Sequence, residues 1–254
     1  MDIIPLWSSH YSFGKSILTL DKPEKINESA PISIFSIAKE NKLREIFLVE
    51  SSMSGFVETY LNSQESKIPV RFGLKLTVCE DINDKSDKSF KTESKVIIWL
   101  KNSNNKQLNR IWTRAATDGY YYIPRISWKE LQSLWDENLS LSIPSYGSFL
   151  HNNLLKGYEC APDFGKIKPN IFWNDMSLPF DNLIKSAHIN YGQNNNLDIR
   201  EVHPIYYYNT NCFYAYNVFR AIQNRSVMSK PQMDHFSSSN FSFQKYMEKV
   251  NDRK

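Results

Sequence analysis

The chain has 254 residues, of which 41% are hydrophobic and 23% are charged, and its formal net charge is +4. This length suits one large domain, and no run approaches the ~18 consecutive apolar residues that cross a bilayer, so no membrane partner is expected. An acidic residue at position 2 and the lack of a long apolar core at the N-terminus argue against a secretory signal, which predicts a cytoplasmic protein.

The first half of the chain alternates strand patterns with helical ones. Residues 3–7 predict a first strand, and a helix is expected from Pro31. A strand, a helix and a second strand then follow between residues 44 and 81, where short β-branched runs flank apolar residues at helical spacing. The mixed charges of residues 81–94 are typical of a solvated loop, and residues 96–100 predict another strand.

The second half continues the same alternation. Ser127 followed by Glu130 is the pattern of a helix N-cap. Strands are predicted at residues 139–143, 170–173 and 199–205, with helical patterns between them and after the last one. About seven strand and helix alternations favour a closed or nearly closed parallel barrel over residues 1–225. Residues 226–254 are predicted to be a polar tail or linker with a short amphipathic helix.

Motifs of the common hydrolases and nucleotide-binding proteins are absent. The sequence has no GxSxG elbow, and its eight glycines form neither GxGxxG nor GxxxxGK. The three cysteines are widely separated, which favours free thiols over a disulfide framework or a zinc site. The tyrosine runs at 120–122 and 206–208 could stack on bases, although such runs more often pack a core or an interface.

Five collinear stretches of the chain carry a family resemblance. The stretches are SHYS at 9–12, LVESSMSGFVETY at 48–60, KIPVRFGLKLTV at 67–78, GYYYIPRISWKEL at 119–131 and AYNVFRAIQNRSV at 215–227. They resemble the polymerase and histidinol phosphatase (PHP) domain, in the version found at the N-terminus of the bacterial DNA polymerase III alpha subunit. Each stretch is a weak signal by itself, but their order along most of the chain is that of the family.

The resemblance implies a distorted seven-stranded β/α barrel, (β/α)7, in a single α/β domain with a metal cluster at the strand carboxyl ends. Most residues at the corresponding positions of this sequence are poor ligands, because isoleucine, leucine, valine and proline cannot coordinate a cation. A lysine there would add repulsion. The family's ligand positions are occupied by Ile4, Leu6, Ser8, Val49, Glu50, Lys75, Ser145, Pro204 and Tyr206.

Three residues stay open as residual metal ligands. His10 and His203 lie one position from family ligand sites and could join Glu50 if the alignment shifted by one residue. Glu50 could instead pair with Lys75. The remaining histidines, at 151, 188 and 235, have no carboxylate at metal-ligand spacing and are expected to be structural.

These observations favour a non-catalytic PHP-like domain that acts as a scaffold or interaction module of a DNA polymerase III alpha-like replicase in DNA replication. Its expected partner is a DNA polymerase catalytic subunit, carrying the polymerase palm, or another replisome protein, and DNA would be contacted only indirectly or weakly. No catalytic residue and no cofactor are expected. The alternative is a metal-dependent phosphoesterase or 3′–5′ exonuclease with a rearranged Mn, Zn or Mg cluster. A third possibility is a nucleic-acid-binding barrel without metals, whose affinity would fall steeply with salt.

Overall fold

The computed structural model describes residues 3–12, 14–22, 31–228 and 238–253. Within these residues, strands and helices alternate along nearly the whole chain, so the predicted α/β class is confirmed. The strands are β1 (Ile4–Trp7), β2 (Ile46–Glu50), β3 (Val70–Cys79), β4 (Ser94–Leu100), β5 (Arg125–Ser127), β6 (Leu139–Ile143), β7 (Asn170–Trp173) and β8 (Ile199–Ile205).

The helices follow the predicted positions closely. They are α1 (Ile34–Glu40), α2 (Phe56–Ser66), α3 (Lys106–Ala116), α4 (Trp128–Ser133), α5 (Phe149–Lys156), α6 (Asp181–Asn194), α7 (Phe213–Gln223) and α8 (Phe243–Asn251). No helix in the described part of the chain combines the length and the apolar character that a membrane crossing requires.

The chain divides into two compact units, and it passes from one to the other within β3, at the end of β7, at the start of α6 and within β8. Unit 1 comprises Met1–Phe72, Asn174–Asp181 and Glu201–Lys254, and unit 2 comprises Gly73–Trp173 and Asn182–Arg200.

Unit 1 is built on parallel strands in the order β2, β1, β8. Leu6 of β1 lies opposite Phe47 of β2 and opposite Pro204 of β8. The side of the sheet that carries Trp7 is covered in part by α8, where the Trp7 and Phe243 rings stack with centroids 5.2 Å apart. Trp7 is fully buried. The strand ends of unit 1 are therefore held on a packed aromatic core.

Unit 2 contains β3 to β7, and its strand directions differ from the prediction. β4 is antiparallel to both β3 and β6, whereas β3 pairs with β5 and β6 pairs with β7 in parallel. The expectation of an all-parallel arrangement is therefore wrong for β4. A second difference is β5, a strand of three residues that the sequence pattern did not predict because it is too short to show a period.

Local signals were accurate in unit 2. Ser127 accepts a hydrogen bond from the backbone N–H of Glu130, and the Glu130 carboxylate accepts one from the backbone of Ser127, so the predicted capping box is present. Such a cap contributes about 1 kcal/mol to the stability of a helix. The cysteines of both units are free, as expected: Cys79 and Cys160 of unit 2 are buried, and Cys212 of unit 1 is half-buried.

The α2 helix forms where its spacing predicts, but apart from Phe56, which packs on Phe72, its apolar residues do not face the core. Val57, Tyr60 and Leu61 are 65%, 48% and 56% exposed, while Thr59 and Asn62 are buried. Asn62 Nδ2 donates to the backbone oxygen of Leu20, which explains why a polar residue takes the inward position. An apolar stripe of α2 therefore lies on the surface of unit 1.

Candidate functional site

The carboxyl ends of β1 and β2 lie side by side in unit 1. Because the strands are parallel and Trp7 lies opposite Leu48, both strands end at the same edge of the sheet. Ser8 and Ser9 follow β1 directly, and Glu50 is the last residue of β2. This edge is where an α/β protein usually carries its functional side chains.

Glu50 is fully buried at this edge and is held by serines. Its Oε1 accepts a hydrogen bond from the backbone N–H of Ser9 at 2.8 Å, and its Oε2 accepts one from the Ser12 hydroxyl at 2.5 Å. Ser12 Oγ in turn accepts a hydrogen bond from the backbone N–H of Ser51 at 2.9 Å. We call Ser9, Ser12, Glu50 and Ser51 the Glu50 network. Both carboxylate oxygens have a donor, as a buried carboxyl group requires.

Burial is the main influence on the ionisation of Glu50 and raises its pKa. The hydrogen bonds from Ser12 and Ser9 and the charge of Lys15 act in the opposite direction but do not outweigh burial. A carboxyl group with a raised pKa can serve as a general acid or base only where it reaches a substrate. Glu50 has no exposed surface and each of its oxygens accepts a hydrogen bond from within the protein, so the geometry is that of a structural carboxyl group.

The other predicted ligand positions of unit 1 meet on one face of the sheet but carry no donor set. Leu6 lies opposite Pro204, and Ile4 opposite Val202, so these residues share a face. Ser8 Oγ donates to the backbone oxygen of Val49 at 2.8 Å.

Tyr206 packs between aromatic rings rather than facing open solvent. Its ring stacks on Tyr216 and on Phe241, and burial raises its pKa to about 12. A phenol in this state stays protonated at neutral pH and is a poor metal ligand.

The two residual histidines of unit 1 lie in different environments. His10 is exposed, and its ring lies 4.3 Å from that of Tyr11. His203 is next to Pro204 in β8, so its side chain projects from the opposite face of the strand, where its ring contacts Tyr246 of α8. His203 therefore does not share the face of β8 that carries Pro204.

Two predicted positions belong to unit 2. Ser145 is buried after β6, and its hydroxyl donates to the backbone oxygen of Phe172 at 3.2 Å. Lys75 is half-buried in β3, and its charge contributes to lowering the pKa of His151, for which burial is the larger cause. The suggested pairing of Glu50 with Lys75 stays a prediction.

The remaining histidines have structural contacts or lie outside the described residues. His188 is fully buried, with Nδ1 at 2.9 Å from the backbone oxygen of Ile184 and Nε2 at 3.2 Å from that of Pro144. His151 Nδ1 lies 3.2 Å from Asn152 Oδ1. His235 lies outside the described residues.

The side chains present do not fit the metal cluster that the resemblance implies. Among residues 3–12, 14–22, 31–228 and 238–253, no three His, Cys, Asp or Glu side chains are placed so that they could hold a metal ion. Glu50, the one carboxylate at a position that the resemblance assigns to a ligand, accepts a hydrogen bond from Ser9 at one oxygen and from Ser12 at the other. A sequence argument could not identify these two serines as its partners, because serine is abundant and the contacts span about 40 positions.

Comparison with known proteins identifies the chain at the level of a family. The family model described as PHP domain matches residues 28–163, which is more than half of the 254 residues. The matched range contains Val49, Glu50, Lys75 and Ser145, whereas β1 and β8 lie outside it. Among curated proteins, no match was found. The family match also confirms the predicted fold class, an α/β fold of the PHP-like β/α-barrel type.

Proposed function

Since this chain belongs to the PHP domain family, whose members are phosphoesterase-like, we propose that it is a non-catalytic member that serves as an interaction module of a DNA polymerase III alpha-like replicase. The observation that carries this proposal is the Glu50 network. In a metal-dependent phosphoesterase, a carboxylate at this strand end would have to turn its oxygens toward a cation. Here Ser9 and Ser12 occupy both oxygens inside the protein.

The side chains at other predicted ligand positions of unit 1 support the same conclusion. Leu6, Val49 and Pro204 have no side-chain lone pair to offer a divalent cation. A fold can keep its packing after its ligands are lost, because stability and chemistry rest on different residues. The chain is therefore expected to retain the family's architecture without its phosphoesterase activity and without a bound cofactor.

A scaffold needs a surface for its partner, and the exposed stripe of α2 is the candidate. Val57, Tyr60 and Leu61 follow the Glu50 strand end directly and form an apolar and aromatic patch, a composition that is enriched at the centre of protein interfaces. The proposed occupant is the catalytic subunit of the replicase, and DNA would be contacted only indirectly through it.

Metal content tests the non-catalytic part of the proposal. The purified protein is incubated with Mn²⁺ and Zn²⁺, desalted and measured by elemental mass spectrometry, with Glu50→Gln in parallel. Retention at background level is expected for both proteins. Near-stoichiometric metal that disappears in Glu50→Gln would overturn the proposal. It would favour the alternative, a Mn-, Zn- or Mg-dependent phosphoesterase or 3′–5′ exonuclease, for which cleavage of single-stranded DNA is the direct assay.

Partner binding tests the scaffold part. A polymerase III alpha-type catalytic subunit is titrated with the protein and the complex is followed by analytical ultracentrifugation. Leu61→Glu is expected to weaken the complex at least tenfold, since a charge would be buried in an apolar contact. Ile222→Glu is the matched control, because Ile222 of α7 is 72% exposed and lies on another helix of unit 1. Equal loss in both variants, or no complex with the unchanged protein, would contradict the assignment of the partner surface.

A further inference from the structure

Unit 1 contains a second polar site, a cavity of about 300 Å³ beside β8 and α8. Charged side chains from one face of α8 and its C-cap line the cavity together with the ring of His203. These charged residues are Lys245, Glu248, Lys249 and Asp252. A volume of this size is at the lower end of the range for small-molecule sites. The cavity uses none of the residues of the Glu50 network, so what it binds is independent of the proposed scaffold role.

His203 forms the buried part of this cavity. Its side chain is only 2% exposed, and neither Nδ1 nor Nε2 has a hydrogen-bond partner of good geometry among the described residues, although backbone groups of Asn240 and Ser242 approach the ring. These backbone groups favour the protonated form of the ring, but burial and the charge of Lys249 outweigh them and lower the pKa of His203 to about 4. The imidazole is therefore neutral at pH 7, with one N–H donor and one lone pair available. The ring therefore keeps hydrogen-bonding capacity that a ligand in the cavity could use.

The two lysines of the lining are already neutralised. Lys245 Nζ lies 2.6 Å from the Glu248 carboxylate, and Lys249 Nζ lies 2.9 Å from that of Glu201. Glu201 also holds Arg253. Neither ammonium group is thus available as an isolated charge for an anion.

The carboxylates that line the cavity outnumber the ammonium groups that line it. Asp175, Glu248 and Asp252 place three carboxylates against the two ammonium groups, so the lining carries a net charge of −1 with His203 neutral. In the described residues, neither Asp175 nor Asp252 forms a salt bridge. Asp252 is also the C-cap of α8, where the helix dipole adds partial negative charge. The electrostatics of the cavity favour a cation.

The side chains that line the cavity favour an organic cation over a metal ion. No three His, Cys, Asp or Glu side chains in the described ranges could hold a metal ion, so a divalent metal is not favoured. A ligand with N–H donors would satisfy the lone pair of His203 and the carboxylates together. From this, we infer that the cavity is a binding site for a primary ammonium group, which donates to the His203 ring and is balanced by Asp175 and Asp252.

A free aliphatic amine or the lysine side chain of a protein could supply this group. The full chain is labelled with ¹⁵N-histidine, and the His203 ring signals are followed by NMR during titration with putrescine or with Nα-acetyl-lysine methylamide at constant ionic strength. Saturable shifts of the His203 signals are expected. Shifts with putrescine alone would identify a free amine as the ligand, and shifts with the lysine analogue alone would identify a side chain. The inference would be overturned if neither compound shifted the His203 signals, or if sodium chloride or inorganic phosphate shifted them equally.

Charge variants give a second readout that does not depend on changing the buried ring. Asp175→Asn removes one carboxylate from the cavity and is expected to weaken amine binding about tenfold. Glu40→Gln is the matched control, because it removes one negative charge from an exposed position of α1 that does not line the cavity. An equal change of affinity in both variants would show a general charge effect and contradict a site at Asp175.

Discussion

Glu50 and His203 are two buried ionisable groups of unit 1 that are satisfied to different degrees. Glu50 has a hydrogen-bond donor for each carboxylate oxygen, from Ser9 and from Ser12. His203 is almost equally buried, but neither ring nitrogen has a hydrogen-bond partner of good geometry among the described residues. Burial disfavours the charged form of both groups, so it raises the pKa of Glu50 and lowers that of His203.

The difference indicates where binding can occur. A buried group whose partners all come from the chain itself contributes to the fold and has nothing left to offer a ligand. A buried group that faces a cavity without partners costs stability until a ligand or water completes it. At the strand end where the resemblance predicts the metal cluster, serines of the protein itself bind the Glu50 carboxyl group, whereas the polar cavity lies beside α8.

The largest effect is expected from removing the carboxyl group of Glu50, which tests whether this group contributes to the fold. Glu50→Ala leaves the Ser9 N–H and the Ser12 hydroxyl without an acceptor and creates a cavity, so it should cost roughly 3 kcal/mol of unfolding free energy. Glu50→Gln keeps an oxygen acceptor and should cost less than about half of that. Urea denaturation of both variants measures the difference. Equal costs would show that the hydrogen bonds of the Glu50 network contribute little.

The next effect is the pH dependence that His203 confers. Its pKa falls from 6.5 in the unfolded chain to about 4 in the folded one, so the unfolded chain binds the proton more readily between these values. Stability is therefore fully present above pH 6.5 and is lost as the pH falls toward 4, by about 2 kcal/mol between pH 7 and pH 5. Other groups titrate as well, so the test is the difference between the unchanged protein and a variant.

His203→Gln provides that difference, because glutamine keeps a donor and an acceptor but does not titrate. The stability advantage of the unchanged protein over His203→Gln should shrink on going from pH 7 to pH 5, as followed by urea denaturation at each pH. The exposed His10 offers the matched control, and His10→Gln should leave the pH profile unchanged. A constant difference for His203→Gln would mean that His203 is not held neutral by the fold.

The elements were predictable because their signals are local. β6, β7 and β8 have the predicted bounds, and the capping box at Ser127 was readable from two residues three positions apart. The direction of β4 was not predictable, since strand pairing depends on distant partners rather than on the strand's own pattern. The same holds for α2, whose helical spacing was correct but whose apolar stripe lies outward.

The candidate site was predictable only in its position. The resemblance located Glu50 at a strand end, but its serine partners come from a different part of the chain. His203 was considered as a possible ligand one position from the family site, and a strand's alternation turns such a neighbour to the opposite face. Whether a buried histidine has partners depends on α8, about 40 positions further along the chain.

The smallest effect concerns the pH dependence of Glu50 itself. Because burial raises its folded pKa above the unfolded value of 4.5, the folded chain binds the proton more tightly, and stability falls as the pH rises from 4.5 through the folded pKa. Glutamine does not ionise, so Glu50→Gln should gain stability relative to the unchanged protein over that range, when the two are compared by urea denaturation between pH 4 and pH 7.

An ion-paired carboxylate such as Glu201 should show the opposite pH dependence of stability. Burial acts to raise the pKa of Glu201, but the hydrogen bonds from Arg253 and Lys249 outweigh burial and lower it. Glu201→Gln is therefore the control, and it should lose stability relative to the unchanged protein as the pH rises. If Glu50→Gln also lost stability relative to the unchanged protein as the pH rises, Glu50 would behave as an ion-paired carboxylate. The contrast between a carboxyl group bound by serines and one bound by cations would then fail.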